Sequence, residues 1–339
     1  MASIDPDPAY RHRWRRRVRG AGPGRGLAGL VAVLLLAVVP VVSAAERFEV
    51  RVVAEPDLAP QAALLAAMRR ALGDGHGQRV GVQVQTAAEY ARSAAGPGPA
   101  PQLVVTVGVN ASEAVLQARP QAPVLCAFLP RAAFDALQER RRGQNSPAPV
   151  TALYVDQPAL RQLRLLRVAL PQVRQVGVVL GPDSQRDEPL LREAATVAGL
   201  VLEAERIGAE RELVDAVRLV LERADALLAV PDRLVFNRHT AQNVLLAGWR
   251  RGKPVMGYSG AYVEAGALLA VFSTPAQIGR QLGETIAALA ATPQALPAPQ
   301  YPHYYSIDVN ARVARSLGLR LPPAEWLAQR LAEAEDSGP

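Results

Sequence analysis

Short apolar runs rich in β-branched residues alternate along the chain with longer stretches whose apolar residues recur every three or four positions. The stretch 158–171, PALRQLRLLRVALP, has the spacing of an amphipathic helix, with apolar side chains at Leu160, Leu163, Leu166, Val168 and Leu170. Continuous apolar runs between such helices are typical of strands buried on both faces of a parallel sheet. The pattern therefore predicts an α/β fold, with strands over 48–54, 80–85, 102–109, 123–128, 151–155, 175–181, 200–207, 224–230, 253–259 and 267–272.

Segments rich in proline and glycine interrupt this alternation at 93–102, 140–150 and 291–305. The same strand–helix rhythm occurs on both sides of residue 150, and the segment 306–323 after the last break has the pattern of one more strand and helix. We therefore predict two doubly wound, Rossmann-like parallel-sheet lobes joined by a hinge. Ligands of such sheets bind in the crevice beyond the carboxyl ends of the strands.

Positive charge is concentrated at the start of the chain. The net charge is +7, but the first 45 residues contain seven arginines and two aspartates, which leaves 31 basic and 29 acidic residues elsewhere. An apolar stretch follows these arginines at Leu27–Val42, and small residues follow it at Ser43–Ala45. This three-part pattern predicts a secretory signal peptide over 1–45, with an uncleaved membrane anchor as the alternative. No cysteine stands directly after the apolar stretch, so a lipid anchor is not expected, and the charge does not indicate a nucleic-acid partner.

Reactive and metal-binding side chains are few. Cys126 is the only cysteine, which excludes an intramolecular disulfide, a cysteine metal cluster and a two-cysteine racemase. None of the four histidines lies at ligand spacing from another histidine or a cysteine. The glycine-rich segments 20–26 and 73–77 lack the spacing of phosphate-binding loops, and there is no G-x-S-x-G nucleophile motif. We therefore expect no enzyme activity, cofactor or metal. A repressor of similar fold would need a helix-turn-helix where the signal sequence lies.

Polar side chains follow several of the predicted strands. They are Asn110 and Ser112 in the first lobe, and Asp232, Asn237, Tyr258, Ser259 and Tyr262 in the second. A helix N-terminus beside hydroxyl groups suits a carboxylate, an aspartate suits an ammonium group, and tyrosine rings suit an apolar body. Each residue also has a local interpretation: Asn110 or Ser112 as a helix cap, Asp232 as a turn residue, the tyrosines as packing. A helix is predicted over 234–252, between the two polar clusters of the second lobe.

Several segments match one known family in order and spacing. They are QLVVTVGVNASEAVLQARPQAPVLCAF (102–128), ADALLAVPDRLVFN (224–237), KPVMGYSGAYVEAGALLAVFSTPAQIGRQLGETIAAL (253–289) and IDVNARVARSLGLRLPP (307–323). From about Gln102 to about Ala328, the chain resembles the substrate-binding proteins of ABC transporters. Within these, it is similar to the two-lobed type I periplasmic binding proteins that include tryptophan- and tyrosine-binding members.

The resemblance implies a monomeric periplasmic receptor that binds a small solute, such as an amino acid, in the cleft between its lobes. It would close by a hinge motion and deliver the solute to an ABC permease and its ATPase. On this basis we expect lobe 1 to comprise 46–151 plus 274–301, and lobe 2 to comprise 152–273 plus 302–339. The resemblance also adds Ala111 to the ligand loop at Asn110. The alternative function is a ligand sensor, or an accessory protein of another envelope uptake system, with the same fold.

The sequence departs from the family's pattern mainly in the first lobe. Its first ligand loop reads VNA, where the family often has threonine followed by proline. The crossing to the second lobe reads TAL rather than TGV, and Glu55 and Asp57 stand in a compressed first segment. We therefore expect the first-lobe side of the pocket to differ from that of other members.

Overall fold

The structure is a computed structural model that describes residues 47–73, 79–93, 100–143, 148–237, 239–292 and 295–336. The predicted signal peptide, residues 1–45, lies outside the described residues. None of the helices within the described ranges is both long enough and apolar enough to cross a membrane.

The first part of the chain forms a sheet in which all neighbouring strands are parallel. Its strands are β1 Phe48–Val53, β2 Val80–Gln85, β3 Leu103–Val107, β4 Val124–Leu129 and β5 Val150–Tyr154, in the order β2-β1-β3-β4-β5. The helices between them are α1 Ala59–Gly73, α2 Ala87–Ser93, α3 Val109–Gln117 and α4 Arg131–Arg141. The central strand β3 is buried at every position, because helices cover both faces of the sheet.

The second sheet is parallel except at one edge. Its strands are β6 Gln175–Leu180, β7 Val201–Arg206, β8 Ala226–Leu228, β9 Val255–Gly257, β10 Leu269–Phe272 and β11 Ser306–Val309, in the order β11-β10-β9-β8-β6-β7. Among the described strands of this sheet, only β11 runs antiparallel to its neighbour, which is β10. The helices that follow β5 in the chain are α5 Ala159–Ala169, α6 Glu188–Val197, α7 Leu213–Arg223, α8 Ala241–Arg250, α9 Gly260–Ala265, α10 Pro275–Ala291, α11 Ala311–Ser316 and α12 Ala324–Asp336.

The structure confirms the predicted fold class. Each of the ten predicted apolar runs overlaps a strand, and the segment after residue 305 forms a strand followed by a helix. One helix prediction was wrong in its start: α8 begins at Ala241 rather than near residue 234. The reason is a turn in which the Asn237 side-chain oxygen accepts hydrogen bonds from the backbone of His239 and Thr240, which competes with helix formation.

Helix α10 lies between β10 and β11 of the second sheet in the chain but packs against the first sheet. A Cβ placed on Gly279 would lie 2.1 Å from the carbonyl oxygen of Leu64 in α1, so the two helices are in backbone contact. Ile278 and Leu282 are fully buried in the same apolar cluster as Leu64. Helix α12 instead contacts α5 and β11 of the second sheet. The chain therefore crosses between the two sheets more than once, whereas the lobe boundaries given above stay a prediction.

Candidate functional site

Hydrogen bonds join the segments that connect the two sheets. These segments lie after β5, before α10 and before β11, at 155–158, 273–274 and 300–305. The side-chain amide of Gln157 donates to the hydroxyl of Ser273 at 2.8 Å, and that hydroxyl donates to the carbonyl oxygen of Tyr304 at 2.6 Å. Gln157 and Ser273 are buried, so water does not compete freely for these bonds. The three connections thus form one hydrogen-bonded hinge region.

Loops at the carboxyl ends of the strands bring the two sheets into contact. Arg131, directly after β4 and Pro130, donates from Nη2 to Oδ1 of Asp187, which follows β6 in the second sheet. Arg186 donates to both carboxylate oxygens of Glu139 on α4, at 3.1 and 3.0 Å. Since ligands of doubly wound sheets bind beyond the carboxyl ends of the strands, the crevice between these edges is the candidate site.

Three carboxylates surround the guanidinium and backbone of Arg131. Its Nη1 donates to Asp135 at 2.8 Å, and its backbone N–H donates to Asp156 at 2.5 Å, in addition to the bond with Asp187. Burial raises the pKa of Asp156 to about 6, because it outweighs the hydrogen bond from Arg131. Burial also raises the pKa of the Asp187 carboxyl, against the opposing effect of Arg131. This edge of the crevice is therefore acidic, although the chain as a whole is basic.

Asp232 is buried and fully engaged within the second lobe. One carboxylate oxygen accepts hydrogen bonds from the backbone N–H groups of Asp183 and Ser184 and from the Ser184 hydroxyl, at 2.8–3.1 Å. The other accepts from the backbone of Leu234 and Val235. Asp232 therefore holds the loop after β8 against the loop after β6. These contacts are those expected if Asp232 is a structural turn residue.

Asn237 has a local role of the same kind. Its oxygen accepts from the backbone of His239 and Thr240, and its Nδ2 donates to the carbonyl oxygen of Arg233 at 3.0 Å. The amide thereby fixes the turn that precedes α8.

Tyr258 and Tyr262 form one aromatic cluster with Phe236. The two tyrosine rings lie 4.5 Å apart between centroids, and each makes an edge contact with Phe236. The Tyr258 hydroxyl donates to the Tyr262 hydroxyl at 3.0 Å. The Tyr262 hydroxyl in turn donates to the carbonyl oxygen of Phe236 at 3.0 Å. Burial raises the pKa of Tyr258, so this hydroxyl stays protonated. The structure brings these residues together, with half-buried rings.

Ser259 immediately precedes α9. It is the N-cap residue, but its hydroxyl makes no capping hydrogen bond, and the side chain is only partly buried. Ser259 is therefore a predicted site residue whose hydroxyl is not used by its own helix.

The first-lobe loop differs from the expected helix cap. Helix α3 begins at Val109 with Gly108 as its N-cap, at a φ of 89° that favours glycine, so neither Asn110 nor Ser112 caps the helix. Asn110 is exposed, whereas Ala111 is buried. Ser112 is fully buried, and its hydroxyl lies 2.7 Å from that of Thr106 and donates to the carbonyl oxygen of Gly108 at 2.8 Å. The hydroxyl of Ser112 thus supports the loop from inside the lobe.

Arg131, Asp156 and Asp187 connect the lobes but are not among the site residues that the sequence predicts. Each of them comes shortly after a predicted strand, in the segments FLPR, YVD and GPDSQRD. Their position after a strand could therefore have marked them as candidate site residues. What the sequence does not show is that Arg131 and Asp187, 56 positions apart, lie opposite each other.

Within the described ranges, no group of three or more histidine, cysteine, aspartate or glutamate residues could hold a metal ion. Cys126 is free and fully buried. Burial raises the pKa of its thiol, which makes it a poor nucleophile.

Similar solved structures have the same two-lobed fold. A ligand-free, open substrate-binding protein with adhesive properties from Clostridium difficile aligns with a TM-score of 0.63 at 17% identity, over 82% of this chain and 97% of that one. An ABC domain in complex with L-Trp from Streptococcus pneumonia aligns with a TM-score of 0.55 at 18% identity, over 84% and 98%. A conserved domain protein from Vibrio cholerae O1 biovar El Tor aligns with a TM-score of 0.53 at 22% identity, over 84% and 98%. At these identities the likeness concerns the fold.

A search of curated proteins found no match. The family model described as "ABC transporter substrate binding protein" matches residues 83–323. That range includes the hinge segments, the cross-lobe ion pairs and every predicted site residue. Proteins of this family bind small molecules, work with ABC transporter permeases outside the cytoplasm and are generally not enzymes. The chain belongs to the family of ABC transporter substrate-binding proteins.

Proposed function

We propose that the chain is the periplasmic solute-binding protein of an ABC-type uptake system, and that it binds a small solute in the crevice between its lobes. The observation that supports this most strongly is the hinge region. Gln157, Ser273 and Tyr304 come from the three connecting segments and are hydrogen-bonded in a row, beside strand ends that meet across the crevice. Such a hinge lets one lobe rotate over a solute held by the other.

The proposed polar contacts are Asn110 in the first lobe and Ser259 in the second. Asn110 lies in the first turn of α3, where backbone N–H groups lack partners within the helix and favour a carboxylate. Ser259 presents a hydroxyl that its own helix does not use. A solute between them would be held from both lobes, so its binding would favour closure.

The aromatic cluster of Phe236, Tyr258 and Tyr262 is the proposed apolar wall of the pocket. Its rings contact one another, and its hydroxyl groups are satisfied internally, so they present mainly carbon surface. Asp232, Asn237 and Ser112 are proposed to support the ligand loops, because their side-chain polar atoms form hydrogen bonds within their own lobe. Ala111 is assigned the same role because its side chain is buried.

The proposed solute is an amino acid or a related compound. The start of α3 suits the carboxylate of such a solute, and the aromatic cluster suits its apolar part. The acidic edge around Asp156 and Asp187 suits its ammonium group. The proposed partners are an ABC permease and its ATPase.

Thermal-shift screening of the purified chain tests this proposal, with a panel of amino acids, peptides, nucleosides and vitamins. A solute at a hundredfold excess over its Kd should stabilise the protein by about 2.7 kcal/mol. Ser259→Ala should weaken that shift while leaving the ligand-free melting temperature unchanged. Ser316→Ala, a serine on α11 that donates to its own helix, is the matched control and should bind normally. If no solute in the panel produces a shift, the proposal is wrong.

A further inference from the structure

One face of α4 carries three charged residues at helical spacing. Arg131, Asp135 and Glu139 follow each other at intervals of four, so their side chains lie along one side of the helix. The helix belongs to the first sheet, where Phe134 and Leu137 on its other side are buried.

A short segment of the second lobe lies alongside this face. It is the 3-10 turn Gln185–Asp187, which joins β6 to α6. Arg186 pairs with Glu139, and Asp187 pairs with Arg131, so each charge of the turn meets an opposite charge on α4. Asp187 occupies the N-cap position of α6, yet its side chain makes no capping bond and instead reaches the other lobe. A residue whose helix does not use its carboxylate is thereby available for the cross-lobe contact.

We infer that Arg131, Glu139, Arg186 and Asp187 form a cross-lobe latch, which opposes the opening of the two lobes before any solute binds. Opening separates the carboxyl ends of the two sheets and therefore breaks the Arg131–Asp187 and Glu139–Arg186 pairs, whereas the hinge bonds of Gln157 persist. The latch sets how much of the ligand-free protein is closed, and thus part of the apparent affinity for a solute.

The two pairs of the latch contribute unequally. The side chains of Arg131 and Asp187 are 24% and 31% exposed, and those of Arg186 and Glu139 are 72% and 48% exposed. Solvent screens the second pair more strongly, so most of the latch's effect comes from Arg131 and Asp187.

Distance measurements on the ligand-free full chain test the latch. Cysteines introduced for fluorescent labels at exposed positions Gln117 of α3 and Gln242 of α8 would report the distance between the lobes, because Cys126 is fully buried and stays unlabelled. Asp187→Asn should raise the ratio of open to closed molecules about fivefold at low salt. In the unchanged protein, 1 M NaCl should shift the ratio in the same direction.

Asp183→Asn is the matched control, because Asp183 lies in the same loop region but pairs with Arg233 inside the second lobe. It removes the same charge and should leave the lobe distance unchanged. The double variant Arg131→Gln/Asp187→Asn should open no further than Asp187→Asn. The latch is ruled out if Asp187→Asn has the same distance distribution as the unchanged protein, or if Asp183→Asn opens the lobes equally. Since no solute is present, these outcomes do not depend on the proposed function.

Discussion

The Gln157 side-chain amide donates to the hydroxyl of Ser273 across 116 positions of sequence, and this buried bond joins two of the connections between the sheets. The Ser273 hydroxyl in turn donates a hydrogen bond to the carbonyl oxygen of Tyr304 in the third connection. Both lobes must move about these segments, so their mutual alignment determines the path of closure.

Ser273→Ala should destabilise the protein by about 1–3 kcal/mol. The substitution leaves the buried Gln157 amide and the partly buried Tyr304 carbonyl oxygen without their hydrogen-bond partner. Urea unfolding of the variant measures the loss. Ser316→Ala, at an exposed serine, should change the free energy of unfolding by less than about 0.5 kcal/mol. Equal stability of the two variants would contradict the hinge assignment.

Asp232→Asn should destabilise the second lobe by about 3 kcal/mol, because an NH₂ group would replace an oxygen that faces two or three donors. Chemical denaturation without solute measures this effect. Asp183→Asn, in the exposed pair with Arg233, should cost about 1 kcal/mol or less. An Asp232→Asn variant that keeps its stability and loses only solute binding would show that Asp232 contacts the ligand.

Gly279→Ala should cost about 3 kcal/mol, because the added Cβ would lie 2.1 Å from the Leu64 carbonyl oxygen and force α10 away from α1. Gly73→Ala is the matched control: nothing lies within 4 Å of its added Cβ, and alanine favours the helix. Melting temperatures of the two variants give the comparison. If Gly279→Ala is as stable as Gly73→Ala, then α10 does not pack on the first lobe as described.

Asp156→Asn should change how stability depends on pH. In the folded protein the pKa of Asp156 is raised from 3.8 to about 6, so between these values the folded state binds more protons than the unfolded state. Asp156 therefore makes the free energy of unfolding fall as the pH rises from about 4 to 6. Asparagine does not titrate, so the variant lacks this loss. As the pH rises from 4 to 7, the free energy of unfolding of the variant should increase by about 1–3 kcal/mol relative to that of the unchanged protein.

Asp225→Asn provides a control of opposite sign for that experiment. Burial raises the pKa of Asp225, but hydrogen bonds from the backbone of Arg174 and Gln175 lower it more, and the net pKa is lowered. Its stabilising effect is present above the unfolded pKa and is lost as the pH falls. Asp225→Asn should thus be less stable at pH 7, with a gap that narrows below about pH 4. Parallel pH profiles for the two variants would contradict this account.

The strands could be predicted from the sequence because each buried parallel strand is itself a short apolar run, as in LVVTV of β3. Hydrogen-bond and ion-pair partners that lie far apart in the chain could not be predicted in this way. The role of Asp232 depends on Ser184, 48 positions away, and Arg131 meets Asp187 only because β4 and β6 end at facing edges. The place of Ser112 after a strand predicts a contact with the ligand, whereas its hydroxyl lies beside that of Thr106, inside the lobe. Adjacency to a strand end is visible in sequence, whereas side-chain direction depends on packing.

Isothermal titration calorimetry on single-residue variants measures whether the solute binds to both lobes at once. With a solute identified by thermal shift, we predict one site per chain. Asn110→Ala in the first lobe and Ser259→Ala in the second should each weaken binding about tenfold, a loss of about 1.4 kcal/mol. Weakening by only one of these variants, or by neither, would contradict a site between the lobes.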